Sequence, residues 1–132
     1  MNTDQQLVSS SILIERELTE KILGAAFKVV NTLGAGFLEK VYENALSAEL
    51  RKYGFTVENQ KLFQISYEGT IVGEYLADLV VAGKVIVECK AAVSLDSVHE
   101  AQLINYLKAS GLHVGLVINF GRPKLQYRRL VV

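Results

Sequence analysis

Only one cysteine, Cys89, occurs in the chain, so no internal disulfide framework holds it together and a reducing cytosol suits it. Net charge is missing too, with 14 Lys and Arg against 14 Asp and Glu. Domains that coat nucleic acid non-specifically are usually basic, so the balance excludes that class. It leaves room for an enzyme that touches DNA at one local patch. No apolar run approaches the length of a membrane span, and the N-terminal MNTDQQLVSSS lacks the basic-then-apolar pattern of a secretory signal. A cytoplasmic protein with no membrane partner is the expectation. Repeats and low-complexity linkers are also absent. What remains is 132 residues, half of them hydrophobic and 21% charged, enough for one globular domain with a real core.

The order of elements follows from periodicity. Residues 1–14 read as a polar arm and residues 15–132 as a single domain. Ile22, Ala26, Val29 and Leu33 recur at helical spacing, and Gly34 ends that helix. After the reversal at GAG, Leu38, Val41, Ala45 and Leu46 predict the apolar side of a second helix, with Gly54 as its stop. The period then becomes two: Phe63, Ile65 and Tyr67 alternate with polar residues, and IVGEYLADLVV and KVIVECKAA follow as strands. These last two are apolar on both faces, which places them inside a covered sheet. Ser97 and Glu100 predict a capping box for a third helix that stops at Gly111. HVGLVINF and KLQYRRLVV complete the pattern as a strand and an edge segment. The fold class is α/β, a mixed central sheet flanked by helices on both faces.

Within this frame VIVECK is odd. Strand side chains alternate, so Glu88 and Lys90 project from one face and Cys89 from the other. Charges on a buried strand are paired or do chemistry. Asp78 joins them on that face only if Val81 lies opposite Val85, leaving Ala82, Gly83 and Lys84 as a three-residue hairpin loop. A two-residue loop would separate the acids. Converging carboxylates repel, and hard oxygens of this kind suit Mg²⁺, with Lys90 beside them to polarise a water or offset charge on a phosphate. A structural ion pair is the alternative.

Three further features carry weight. Glu39 falls at the edge of the second helix's predicted buried stripe, as a metal ligand or as a first-turn acid favoured by the helix dipole. Gln102 and Tyr106, four apart, share a face of the third helix, as contacts to a bound strand or as ordinary packing. Lys124, Arg128 and Arg129 form a mildly basic edge.

Together these residues resemble the PD-(D/E)XK phosphodiesterase superfamily and, within it, the GxxExxY family. Gly36, Glu39 and Tyr42 match the GxxExxY motif, Asp78 the first metal-binding acid, Glu88-Cys89-Lys90 the E-x-K element, and Gln102 with Tyr106 the Q-x-x-x-Y pair. Ala77 stands where the superfamily name has proline. The resemblance covers about residues 18–130 and implies a restriction-endonuclease-like core. It also implies a division of labour. Asp78, Glu88 and Glu39, with the backbone carbonyl of Cys89, would bind Mg²⁺, with Mn²⁺ as a substitute. Lys90 would activate the attacking water, and Gln102, Tyr106 and Tyr42 would support that centre or the substrate strand. The expected function is a nuclease acting on DNA, working as a homodimer or with a partner protein. A nuclease-like module that binds nucleic acid or protein without cutting is the competing class.

Overall fold

The computed structural model describes residues 3–132, with side chains from Glu15 onward, and the polar arm expected over residues 1–14 lies outside the fully described residues. Helix α1 (Thr3–Leu33) buries Ile22, Ala25, Ala26, Val29 and Val30 along one stripe. Gly34 closes it at φ +76°, its N–H donating to the Val30 carbonyl at 2.8 Å.

Helix α2 (Glu39–Lys52) departs from its predicted stripe. Leu38 precedes the helix and is 82% exposed, and Val41 is exposed as well; the buried positions are Tyr42, Leu46 and Leu50 with Glu43, Ser47 and Glu49 beside them. The polar residues tolerate burial because each has a partner. Lys40 Nζ and Gln60 Nε2 donate to Glu43, Ser47 Oγ donates to Asn59 Oδ1, and Lys28 Nζ pairs with Glu49.

Five strands follow: β1 (Val57–Tyr67), β2 (Thr70–Val81), β3 (Val85–Lys90), β4 (Val114–Asn119) and β5 (Gln126–Val131), in the spatial order β1-β2-β3-β4-β5. Only β3 and β4 run parallel, because the helix α3 (Ser97–Ser110) crosses over between them. On one face Leu79, Val81, Val85, Val87, Leu116 and Ile118 pack against α1 and α2; on the other, Val80, Ile86 and Val117 pack against Leu103 and Leu107 of α3. This is the α/β mixed sheet with helices on both faces that the element order predicts. Coverage is incomplete, however. Leu62, Ile71, Val72 and Leu76 are exposed, because the outer end of the β1–β2 hairpin runs past the helices.

Two local features fix the end of β3. The N-cap of α3 is Asp96, not Ser97: its carboxylate accepts from the N–H groups of Val98 (3.0 Å) and His99 (3.4 Å), and the His99 side chain closes the box in place of Glu100. A charged acceptor one residue upstream outcompetes the serine at the positive end of the helix. Across the sheet, buried Asn119 clamps the segment after Lys90, accepting from Ala92 N–H (3.0 Å) and donating to Ala92 O (3.0 Å). Gly121 makes that crossing feasible, since a Cβ there would lie 2.4 Å from the Ala92 carbonyl oxygen. Among the described residues, no helix is long and apolar enough to cross a membrane.

Candidate active site

The β2–β3 hairpin assembles the site. Val81 pairs with Val85, Val80 with Ile86 and Leu79 with Val87, so Ala82, Gly83 and Lys84 form the loop and Asp78 comes opposite Glu88. Ala82 and Gly83 take the left-handed region, φ 54° and 66°, which a three-residue hairpin loop requires of some residue. Pairing ends at Leu79 and Val87. One step beyond, Cys89 N–H donates to Asp78 Oδ2 (2.9 Å) and Asp78 N–H to Glu88 Oε1 (3.3 Å). Backbone donors freed by an opening ladder need acceptors, and here the two carboxylates supply them.

The opposite neighbour of Asp78 is irregular as well. The β1–β2 ladder skips Gln60, which sits at φ +52°, a conformation uncommon for any residue but glycine. Its Nε2 donates to Glu43 Oε1 (2.7 Å) and reaches Asp78 Oδ1 (3.4 Å). Glu43 also pairs with Lys40 Nζ at 2.5 Å, so Asp78 joins a network that extends to α2. Glu88 joins a different one: the Tyr75 hydroxyl donates to its Oε1, and the Tyr75 ring stacks on Tyr106 of α3, centroids 3.6 Å apart.

Burial is the main force that pushes the Glu88 carboxyl up to about 7, and the charge of Asp78 adds to it. The bonds from Tyr75 and the Asp78 amide, and the charge of Lys90, pull the other way. Burial first, and then Glu88, hold the Tyr75 phenol far above its ordinary range, so it remains a donor. Cys89 is buried on the face opposite Glu88, its thiol pushed up by burial, and it is a core residue.

A cleft of about 300 Å³ on the α3 side is lined by Tyr75, Glu88, Lys90, His99, Gln102 and Tyr106. The structure thus brings Glu88, Lys90, Gln102 and Tyr106 together. The side chains of Lys90 and Gln102 make no hydrogen bond or salt bridge with the described residues, and Lys90 acts on Glu88 through its charge alone. Glu39 stands apart from them. It is exposed rather than at the edge of a buried stripe, and it lines a separate hollow of about 590 Å³ on the α2 side with Lys40, Ala91 and Gly121. Its Oε1 accepts from Ala91 N–H at 3.3 Å, just past the end of β3.

Tyr42 cannot touch a substrate. It is fully buried, donates to Gly34 O (2.6 Å), accepts from Phe37 N–H (3.1 Å) and stacks on Phe120. The sequence reading missed Tyr75, Gln60 and Glu43. Tyr75 reads as one more strand aromatic, and nothing local marks Gln60. Glu43 did leave a signal, being four residues after Glu39 and on the same helical face.

Among the described residues, no three His, Cys, Asp or Glu side chains gather into a ready-made metal cage. Magnesium needs no such cage, because it keeps several waters and takes one or two carboxylates. Asp78 and Glu88 offer hard oxygen donors, and their mutual repulsion is what a cation between them relieves. The donor set fits a divalent metal.

No curated protein matches the chain. The PD-(D/E)XK nuclease superfamily does, over residues 16–130. Its nucleases act on nucleic acid and generally use divalent metals such as Mg²⁺, which accords with these donors. With an acid–acid–lysine set at the open end of a mixed-sheet hairpin and a match over nearly all of its length, the chain belongs to the PD-(D/E)XK nuclease superfamily.

Proposed function

We propose that the chain is a Mg²⁺-dependent nuclease of the GxxExxY kind that hydrolyses phosphodiester bonds in DNA. One observation carries this reading. Asp78 and Glu88 meet where the β2–β3 ladder opens, and Lys90, whose ammonium forms no hydrogen bond or salt bridge with the described residues, lines the same cleft as Glu88. Structural ion pairs close on themselves, whereas here Lys90 acts on Glu88 only through space and keeps its N–H donors open.

Asp78 and Glu88 would hold the metal, with the Cys89 carbonyl at the same turn and Glu39 reaching the end of β3 from its other side. Once bound, a divalent cation supplies charge neutralisation and polarises the phosphodiester. Lys90 holds the attacking water and offsets charge growing on the phosphate oxygens. Gln102, on the rigid face of α3, orients water or strand beside it. Hydrolysis adds the hydroxyl of water to phosphorus, breaks the bond to the leaving sugar oxygen and delivers the water's proton to that oxygen. A domain this small gains grip from a second copy or a partner protein, and a cytoplasmic site of action suits its single, buried thiol.

The test is cleavage of labelled single- and double-stranded DNA and RNA with Mg²⁺, Mn²⁺ or EDTA. Metal-dependent cutting that falls at least ~100-fold in both Glu88→Ala and Lys90→Ala is expected. Equal cutting by the variants overturns the assignment. Absence of both cutting and metal binding replaces it with the non-cutting binding module.

A further inference from the structure

Resting on that nuclease reading, we infer that Tyr75 is a positioning residue for Glu88, and that Tyr106 acts through the Tyr75 ring rather than on the substrate. A glutamate on a strand swings about several side-chain bonds, so a metal-binding Glu needs something to hold one oxygen and present the other. Here both bonds that Glu88 accepts, from the Tyr75 hydroxyl and from Asp78 N–H, fall on Oε1. Oε2 is left for the cleft that Glu88 lines.

Tyr75 is itself held. Its side chain is 6% exposed, and its ring stacks on Tyr106 from α3 (3.6 Å between centroids, planes 4° apart) and on Phe63 from β1 (6.1 Å, 19°). Rings from β1 and α3 stacked against the Tyr75 ring limit its rotation, so three elements fix the direction of one hydroxyl. Tyr106 follows Gln102 by one helical turn, which gives the two residues separate tasks: Gln102 faces the cleft unpartnered, while Tyr106 backs the ring that steers the acid. Partners one step outside a metal's ligands orient those ligands and tune affinity.

The experiment is calorimetric titration with Mn²⁺ of the unaltered protein, Tyr75→Phe, Tyr106→Leu and Tyr106→Phe, with thermal unfolding of each. Tyr75→Phe keeps the ring and loses the donor, and is expected to weaken Mn²⁺ binding about 10- to 100-fold. Tyr106→Leu is expected to weaken it less, with Tyr106→Phe restoring what Leu removes, because the ring and not its hydroxyl is needed. Equal affinity in Tyr75→Phe overturns the positioning role and leaves the nuclease reading standing. An unaltered protein that binds no Mn²⁺ overturns both. If Tyr75→Phe fails to fold, proton NMR of the unaltered protein decides instead. A slowly exchanging Tyr75 hydroxyl signal that moves on adding Mg²⁺ supports the role, and a signal that is absent or indifferent to Mg²⁺ overturns it.

Discussion

The two faces of the sheet handle polar groups in opposite ways. Toward α1 and α2, buried polar side chains form closed sets: Glu43 with Lys40 and Gln60, Glu49 with Lys28, Ser47 with Asn59. Toward α3, the polar groups remain partly open: the side chains of Lys90 and Gln102 without hydrogen bonds to the described residues, and Glu88 held by one oxygen beside an aromatic stack. Buried polar groups need partners and have them on the first face, whereas Lys90 and Gln102 reach water and keep donors open for a ligand. One face chiefly carries the fold, joined to the candidate site through Gln60 and Asp78, and the other carries the cleft.

The sharpest way to break this division is to damage the closed face alone. Leu46 is fully buried there, and Leu46→Ala should cost ~2–5 kcal/mol in urea unfolding while metal binding per folded molecule stays the same. The open face gives the reverse result. Below pH 4.5 Glu88 carries a proton whether the chain is folded or not; between 4.5 and about 7 the folded form keeps it and the unfolded form releases it. The metal-free protein therefore loses ~3 kcal/mol of stability as pH rises through that window, a figure that follows from 1.36 kcal/mol per pH unit. Glu88→Gln should flatten this loss, leaving the variant more stable than its parent at pH 8 though inactive; an unchanged slope would mean Glu88 ionises as an ordinary surface acid.

Smaller effects sharpen the boundary between the faces. Gly121→Ala pushes a Cβ against the Ala92 backbone and should cost ~1–3 kcal/mol, with loss of cleavage because the end of β3 shifts. Leu38→Ser, at a site 82% exposed beside the α2 hollow, should change stability by less than ~0.5 kcal/mol. A larger loss there would show that the hollow belongs to the core.

Much of the open face was legible in the sequence. Alternation put Glu88 and Lys90 together, and index arithmetic put Asp78 opposite Glu88 on condition of a three-residue loop, which the observed register supplies. Tyr75 was not legible, because its role is a bond to a residue thirteen positions away and a ring from another helix. Gln60 was hidden for the same reason, since its left-handed backbone follows from what its side chain reaches. On α2 the apolar pattern misplaced the stripe, because Glu43 and Glu49 are buried with partners that no helical period reveals. Asp96 displaced Ser97 as the cap by proximity and charge, a choice between two plausible acceptors.

The open end of the β2–β3 ladder carries one more consequence. The amides of Cys89 and Asp78 are bonded to the carboxylates of Asp78 and Glu88 rather than to a neighbouring strand. Deuterium enters an amide when its acceptor turns away, so exchange at these two positions follows the carboxylates and not the unfolding of the sheet. A ligand that claims Asp78 Oδ2 should speed exchange at residue 89, while residue 78, whose acceptor is the held Oε1 of Glu88, and Leu79 and Val87, still paired, stay slow. The backbone itself then reports whether Asp78 is occupied, in a protein whose natural substrate need not be known.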